Sequence, residues 1–414
     1  MSNSIIKQEF RPQFFSWVIF LLPALAITTR PGVGIIEILI LLATIYYAVP
    51  LWKQRKEFFG STKFIVLAFS FNLAAATASL LSDKFVVSGI DNPLRQLLAT
   101  AAIGIIIFTR PKAEWFWHGL MIGTIGAACI AMYQRFGLHM VRAEGAYMAI
   151  MFGDIAMAMG LMALASVRHY SKTKWAALPY IAFLSGVLAS LLSGTRGGWP
   201  AILFCLIPLY FYRPAALDRK SLLAALMGAA LLTGAFFIPK VGVSERVAAV
   251  STEIDQYMRG NANSSIGSRL EMWKGAWNLF VENPITGVGR KNFHQGLNAL
   301  IARGEIDPSV GIYRHAHNEM LHALATQGMI GGSALLLLYV APLLFFLRGI
   351  RRNDQGQPYA IAGLLVVLSF IYFGQTQVLF SHHIGSAFYA LTVSVLAGVC
   401  ASIQREYGIP PSSK

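Results

Sequence analysis

The stretch of sequence that decides the fold is residues 320–347, MLHALATQGMIGGSALLLLYVAPLLFFL. It is 28 residues long and contains no Asp, Glu, Lys or Arg. A helix needs about 20 consecutive apolar residues to cross the hydrocarbon core of a bilayer. Helices of soluble proteins are usually apolar along one stripe only, whereas this stretch is apolar on all sides. It therefore predicts a membrane-spanning helix.

Similar apolar blocks occur along the whole chain. The predicted spans are 14–29, 33–51, 64–82, 94–109, 115–134, 147–167, 175–193, 199–212, 221–239, 320–347, 358–380 and 384–403. Of the 414 residues, 56% are hydrophobic and only 13% are charged, whereas about a quarter are charged in a typical soluble protein. This composition argues against a disordered chain and against a nucleic-acid-binding globule. We predict an all-α, polytopic integral membrane protein with about twelve transmembrane helices.

The distribution of Lys and Arg predicts how the chain is oriented in the membrane. With the N-terminus inside, the inner segments hold 19 of the 34 Lys and Arg residues, and the five short outer loops hold six. The remaining nine lie in one long outer loop, and the positive-inside rule applies to short loops. We therefore expect both termini in the cytoplasm and the long loop on the outer side of the membrane. The net charge of +15 then needs no nucleic-acid partner.

The long loop covers residues 240–317 and divides the chain into three parts. Transmembrane helices 1–9 occupy residues 1–239, and helices 10–12 with a short cytoplasmic tail occupy residues 318–414. Within the loop, Ser268 and Glu271 have the spacing of a capping box, with Ser268 as the N-cap. Apolar residues at helical spacing follow, so we expect an amphipathic helix at the membrane interface, ending at Pro284. These residues are Leu270, Trp273, Trp277 and Phe280.

Three residues could carry chemistry because of where the backbone places them. Arg196 lies in a glycine-rich turn at the outer end of a span, where backbone N–H groups and a guanidinium could together bind an anion. Arg269 follows the predicted N-cap, at the end of the helix that favours an anion such as a phosphate. His317 immediately precedes a span and could act as a general base near neutral pH. The alternatives are an interfacial Arg196, a solvated Arg269 and a helix-capping or interfacial His317.

A metal centre is the main alternative for the outer polar residues. His315, His317 and His322 are close in sequence, but Glu319 is the only nearby acid, so we expect no metal site. The acid pairs at 253–255 and 305–307 are also poor candidates. The three cysteines are isolated from one another in apolar blocks, so they offer neither a disulfide framework nor a metal site. Inside the predicted spans, the conspicuous polar residues are Asp154, Gln375 and Gln377.

Five motifs in this order resemble the O-antigen ligase family. They are Gly-Thr-Arg-Gly-Gly at 194–198, Ser-Arg at 268–269 with Trp273, Asn-Pro-Ile-Thr-Gly-Val-Gly at 283–289 with Phe293, His-Asn-Glu-Met-Leu at 317–321, and Gly-Met-Ile-Gly-Gly at 328–332. The specific resemblance covers about 185–335. The chain departs from the family pattern at Arg290-Lys291, where small or polar residues are expected, and this extra charge points to its own substrate.

The resemblance implies a transferase in the bacterial inner membrane with its active site facing the periplasm. Such an enzyme moves a glycan from undecaprenyl pyrophosphate to a sugar hydroxyl of lipid A–core, without metal or other cofactor and with inversion at the anomeric carbon. It implies that His317 is the general base and that Arg196 and Arg269 bind pyrophosphate. We expect further substrate contacts from Arg142, Trp273, Arg290 and Tyr313.

Two other functions fit the same sequence. An O-antigen polymerase would use the same donor, with a second lipid-linked glycan as the acceptor. A transporter or flippase for lipid-linked glycans would use Asp154 as its coupling residue, since an acid inside a span is a candidate functional group.

Overall fold

The computed structural model describes residues 2–80, 87–212, 227, 243–352 and 354–406, and it gives the backbone alone at 2–11, 57–59, 87, 196, 206, 210–212 and 243–248. These residues form helices and connecting turns, with no β-strand among them. The α-helices are α1 (Ser2–Leu25), α2 (Gly32–Tyr46), α3 (Ala48–Lys53), α4 (Arg55–Ser79), α5 (Asp91–Ala99), α6 (Ala101–Thr109), α7 (Trp115–Met132), α8 (Ala149–Leu164), α9 (Val167–Tyr170), α10 (Leu178–Ser193), α11 (Ala201–Tyr212), α12 (Val243–Met258), α13 (Ser265–Glu282), α14 (Phe293–Ala302), α15 (Glu319–Arg351), α16 (Gln357–Phe373) and α17 (His383–Glu406).

Apart from their ends, the predicted apolar blocks coincide with helices wherever the structure describes them. Among the residues that the structure describes, five helical stretches are long and apolar enough to cross a membrane, and five shorter apolar helices accompany them. The chain is therefore a multi-pass membrane protein of the all-α class. The predicted span 221–239 lies outside the described residues except for residue 227, so the number of twelve spans remains a prediction.

One predicted span is interrupted, and one predicted boundary is wrong. The predicted span 94–109 lies within one candidate membrane crossing, Ser88–Thr109, in which α5 and α6 meet at Thr100. The predicted span 358–380 includes seven residues, 374–380, that are not helical, because α16 ends at Phe373. Residues 374–382 instead turn back over the end of the bundle. Gln375 and Gln377 therefore lie in this loop and not inside a span.

Glycines allow several helices of the bundle to pack at very short range. A side chain at Gly119 or Gly123 of α7 would lie within about 2 Å of the α1 backbone, at the carbonyls of Phe20 and Pro23. Gly160 of α8 and Gly186 of α10 meet in the same way. Small residues at such crossings let helix backbones approach closely, which is how membrane helices gain packing energy without a hydrophobic driving force.

The described part of the long loop has a small hydrophobic core of its own. Helices α13 and α14 and the turn at Pro308–Ile312 bury apolar side chains against one another and against α15. Met272, Leu279 and Phe293 are each 2% exposed or less. Gly275 makes this packing possible, since a side chain there would lie 2.6 Å from Leu297 Cδ2. The segment is thus a folded lobe on one end of the bundle.

Candidate functional site

His317 lies in a loop whose backbone is held in an uncommon conformation. Its φ of +48° is in the left-handed region, which a residue with a side chain rarely adopts. The next residue, Asn318, is the N-cap of α15, and its side chain accepts a hydrogen bond from the Leu321 N–H. The loop is also fixed from outside, because Trp273 Nε1 donates to the Ala316 carbonyl oxygen at 3.1 Å. Local strain held by neighbouring contacts is a common feature of functional sites.

The surroundings of the His317 imidazole favour its neutral form. The ring is half-buried and lies within hydrogen-bonding reach of the Gln377 side chain and the Thr376 backbone. Burial, followed by the positive charge of Arg269, lowers the pKa of His317 below its usual 6.5. These two effects outweigh the hydrogen bonds, which act in the opposite direction. At neutral pH the imidazole therefore has a lone pair with which to accept a proton.

The glycine-rich turn at 194–198 lies beside the same loop. Gly194 ends α10 with a φ of +67°, and Arg142 Nε donates to the Ser193 carbonyl oxygen at 2.7 Å. A side chain at Gly197 would lie 2.7 Å from Thr376 Oγ1, so this turn packs directly on the residue that contacts His317. The structure thereby brings two of the predicted motifs together. The side chain of Arg196 lies outside the described residues, although its backbone belongs to this turn.

Asp154, a residue of α8, lies against the same turn. A side chain at Gly198 would lie 2.6 Å from Asp154 Oδ1. The carboxyl is buried, and the described residues offer neither of its oxygens a hydrogen-bond partner. Among these residues, Asp154 therefore forms no hydrogen-bonded contact between helices.

The predicted capping box at 268–271 is wrong. The N-cap of α13 is Ser264, whose hydroxyl accepts from the Gly267 N–H at 3.0 Å, so the helix starts earlier than expected. Ser268 is buried inside the helix. Glu271 is also buried, where it accepts hydrogen bonds from the Tyr257 hydroxyl and the Asp307 N–H. Local sequence spacing predicted that Glu271 would complete a capping box. Its carboxylate instead binds two other segments of the chain.

Arg269 consequently does not stand at the first position of the helix. It lies more than one turn inside α13, with an exposed side chain, and its charge acts on His317. The opposite face of α13 packs into the lobe through small and aliphatic residues. The aromatic face remains partly open, with Trp277 51% exposed, as expected of a helix at a membrane interface.

Two further motifs join where α15 is broken. Gly328 has φ 62° and ψ −157°, which interrupts the helix and leaves backbone groups without helical partners. The loop at 283–289 supplies those partners. The N–H groups of Val288 and Gly289 donate to the carbonyls of Ala325 and Thr326, and the Met329 N–H donates to the Pro284 carbonyl. The loop motif and the span motif are therefore two halves of one structure that orients the start of α15.

The other predicted substrate contacts occupy different places around the site. The Tyr313 ring centroid lies 5.9 Å from that of His317, and the Tyr313 carbonyl is 3.0 Å from His294 Nδ1. Arg290 lies on a cavity wall together with His315 and His322. Arg142 and Trp273 make the backbone hydrogen bonds described above and hold the turn and the loop in position.

Several site residues were missed by sequence reasoning. Glu319 is buried and accepts the N–H groups of Leu379 and Phe380, which ties α15 to the loop at 374–382. The contacts of Thr376 and Gln377 with His317 were also missed, because both residues had been assigned to a span. The signal that was present is the pair of amides, Gln375 and Gln377, since uncharged polar residues near the end of an apolar block can mark the end of the helix.

The outer carboxylates have structural partners. Glu253 Oε2 accepts from the Ile266 N–H, Asp307 caps the turn at Ser309, and Glu305 contacts Arg303 and Asn278. Among the residues described here, no group of three or more His, Cys, Asp or Glu side chains is arranged to hold a metal ion. The available chemistry is thus that of a neutral imidazole beside a fixed positive charge and a turn rich in backbone N–H groups.

Comparison with known proteins shows what this chain is similar to. A family model described as O-antigen ligase matches residues 180–336, a range that contains the turn at 194–198, Arg269 and His317. An uncharacterized protein of Haemophilus influenzae is 24% identical over 349 residues, covering 83% of this chain and 87% of that protein. The O-antigen ligase of Escherichia coli is 24% identical over 155 residues, covering 36% of this chain and 34% of its own length. The resemblance predicted from the motifs is confirmed.

Proposed function

We propose that this protein transfers a glycan from undecaprenyl pyrophosphate to a sugar hydroxyl of lipid A–core. Its residues 180–336 match the model of the O-antigen ligase family. Members of this family are glycosyltransferase-like enzymes, and the specific donor and acceptor are our proposal. The observation that carries it is the pairing of a neutral His317 with the charge of Arg269 beside the turn at 194–198. A base and an anion-binding element side by side suit a reaction with a hydroxyl nucleophile and a pyrophosphate leaving group.

The reaction is a single displacement at the anomeric carbon of the donor. The acceptor oxygen forms a bond to that carbon while the bond to the pyrophosphate oxygen breaks, and the configuration is inverted. His317 takes the proton of the attacking hydroxyl. Undecaprenyl pyrophosphate leaves with the bonding electrons, and Arg196 and Arg269 stabilise the negative charge that develops on it.

The same proposal orients the chain in the inner membrane. Residues 1–239 and 318–414 are its transmembrane parts, and residues 240–317 are a periplasmic loop that carries catalytic elements. Both termini are cytoplasmic. Both lipid tails, of the donor and of the acceptor, then remain in the bilayer, which supports placing the site where the loop lobe meets the outer ends of the helices. Membrane lipids are the surrounding partners.

The test is transfer by the purified protein in lipid nanodiscs. With a lipid-linked glycan donor and lipid A–core, we expect larger lipopolysaccharide products and released undecaprenyl pyrophosphate, and the reaction should continue in excess EDTA. Without lipid A–core, a ligase leaves the donor unchanged. Longer glycans on the undecaprenyl carrier in that reaction would identify a polymerase instead. Activity that stops in EDTA and returns with Mg²⁺ or Mn²⁺ would contradict the metal-independent mechanism.

A further inference from the structure

A polar cavity of about 510 Å³ opens beside the candidate site, between the outer ends of α4, α5 and α15. The loops at 290–295 and 380–382 complete its walls. Its volume is in the range of small-molecule sites in proteins. Two of its residues are amides inside apolar helices, and Asn72 Nδ2 donates to Gln96 Oε1 at 2.7 Å. Buried amides at such depth are costly unless they have a polar partner or ligand.

Four buried polar atoms on the cavity walls have no hydrogen-bond partner among the described residues. They are His315 Nδ1, His322 Nδ1, Gln327 Oε1 and His382 Nε2. His322 is 9% exposed and Gln327 is 6% exposed, so most of their surface is closed to bulk water. Unsatisfied polar atoms gathered around one cavity indicate a ligand with several hydrogen-bonding groups. The hydroxyls of a sugar match this description.

The charge of the cavity is positive. Of the described residues that line it, Arg290, Lys291 and Arg314 are cationic and Glu319 is the one acid. One oxygen of Glu319 is already occupied by the two backbone N–H groups of the 374–382 loop. His315 adds no charge at neutral pH, since burial and two neighbouring histidines lower its pKa to about 4. A ligand that complements this cavity therefore carries negative charge as well as hydroxyls.

The cavity is adjacent to the proposed base but distinct from the proposed pyrophosphate site. The ring centroids of His315 and His317 are 4.3 Å apart, so the cavity wall lies next to the catalytic imidazole. Neither Arg269 nor the turn at 194–198 lines the cavity. A displacement with inversion needs the nucleophile and the leaving group on opposite sides of the reacting carbon. Two separate cationic regions, one in the cavity and one at Arg269, suit that requirement.

We propose that this cavity binds the acceptor, through a sugar that carries a phosphate or carboxylate group close to the attacking hydroxyl. Arg290 and Arg314 contact the anionic group, while Gln96 and Gln327 receive sugar hydroxyls. This inference rests on the proposed function, because it assumes that the pyrophosphate of the donor lies at Arg269. It also explains the unusual charge at 290–291.

The experiment measures binding and transfer separately, in nanodiscs, with the full-length protein. The probe is lipid A–core from rough lipopolysaccharide in three forms: native, dephosphorylated and carboxyl-reduced. Binding is measured on the His317→Ala protein, which keeps the cavity without turnover. Arg314→Gln is the main variant, because Arg314 is exposed at the cavity mouth and its loss is not expected to affect folding. Arg290→Gln is the second variant. Arg259→Gln, an exposed arginine of the same loop away from the cavity, is the matched control.

We expect Arg314→Gln and Arg290→Gln each to weaken binding of native lipid A–core about tenfold, as for the loss of one charge-assisted contact. Donor KM should stay the same, and Arg259→Gln should behave as the unmodified protein. If the recognised anion is a phosphate, the variants and the unmodified cavity should bind dephosphorylated lipid A–core equally well. If it is a carboxylate, they should bind carboxyl-reduced lipid A–core equally well. Variants that raise the donor KM instead would place pyrophosphate in the cavity and overturn the proposal, as would variants that change neither substrate.

The same data separate this inference from the proposed function. A protein that binds lipid A–core with the expected dependence on charge, but transfers no glycan to it, would overturn the ligase reaction and leave the cavity assignment standing. A protein that transfers glycan normally, with acceptor binding unaffected in both variants, would overturn the cavity assignment alone.

Discussion

His317 is the residue on which the proposed chemistry depends. Its left-handed backbone, its contacts with Thr376 and Gln377 and its position before α15 give the imidazole a defined place at the outer end of the bundle. A histidine that only capped the helix would be redundant, since the Asn318 side chain already caps α15. The capping alternative for His317 is therefore excluded by the structure, whereas its catalytic role remains a prediction.

The direct test of that role is His317→Ala. Loss of a general base lowers kcat by a factor of about 10² to 10⁴, whereas donor binding should change little. The measurement is the rate of transfer to lipid A–core at matched protein levels, with donor binding measured in parallel. His383→Ala is the control, because His383 is exposed and pairs with Glu37 away from the loop. Near-normal transfer by His317→Ala would show that another group accepts the proton.

The pH dependence of the reaction tests the electrostatic effect of Arg269. The neutral imidazole is the active form, so kcat/KM should be constant above the pKa of His317 and fall as the pH drops through it. Because burial and Arg269 hold this pKa below 6.5, the fall should lie on the acid side of that value. Arg269→Gln removes a charge that disfavours the protonated imidazole. The pKa should then rise, and the acid limb should move to higher pH.

The pH at which kcat/KM falls does not depend on how well pyrophosphate binds. A loss of pyrophosphate binding instead lowers the value of kcat/KM across the pH range. Arg259→Gln, which removes an exposed charge elsewhere in the loop, should leave the limb where it is. An acid limb that is identical in Arg269→Gln and the unmodified protein would mean that the two side chains are not coupled as the structure indicates.

At the scale of elements, the break in α15 at Gly328 organises the site. A side chain at this position would lie 2.3 Å from backbone atoms of Ile285, in a conformation that residues other than glycine rarely adopt. The strain of such a backbone alone costs about 1–3 kcal/mol, and the clash with the 283–289 loop adds to it. The expected result of Gly328→Ala is a clearly lower thermal unfolding temperature in detergent and reduced transfer.

Gly34→Ala is the matched control for this substitution. Gly34 lies in α2 with no atom within 4 Å of the position that a side chain would take. Alanine there should leave the unfolding temperature unchanged or raise it slightly, because alanine favours a helix by up to about 1 kcal/mol over glycine. Equal unfolding temperatures for Gly328→Ala and Gly34→Ala would show that the break does not hold the loop.

At the scale of the whole molecule, the site exists because three connecting segments meet at one end of the bundle. The turn at 194–198 follows α10, the loop at 313–318 precedes α15, and the loop at 374–382 joins α16 to α17. The lobe with α13 covers them. The charged connections at 110–114 and 351–356 lie at the other end, together with a second cavity. The predicted orientation requires that the candidate site and these charged connections lie at opposite ends of the bundle.

Cysteine labelling tests which end faces the periplasm. In a Cys129→Ala background, which removes the one exposed native thiol, Met258→Cys should react with a membrane-impermeant reagent in intact cells. Gln355→Cys should react only after the membrane is permeabilised. Both introduced positions are exposed, so accessibility to solvent does not differ between them. The opposite pattern of labelling would place the candidate site in the cytoplasm and contradict a periplasmic transferase.

The sequence by itself determined the apolar helices, the family and the nature of the candidate base and cations. These depend on composition and on short motifs, whose physical meaning is local. The tertiary structure decided where α13 begins and what Glu271 and Glu319 bind. It also decided that Gln377 lies in a loop, where it contacts His317, and not in a span. It also brought the motifs at 283–289 and 328–332 into one unit. Hydrogen bonds between segments far apart in the chain set these features, and no local periodicity records which segments will meet.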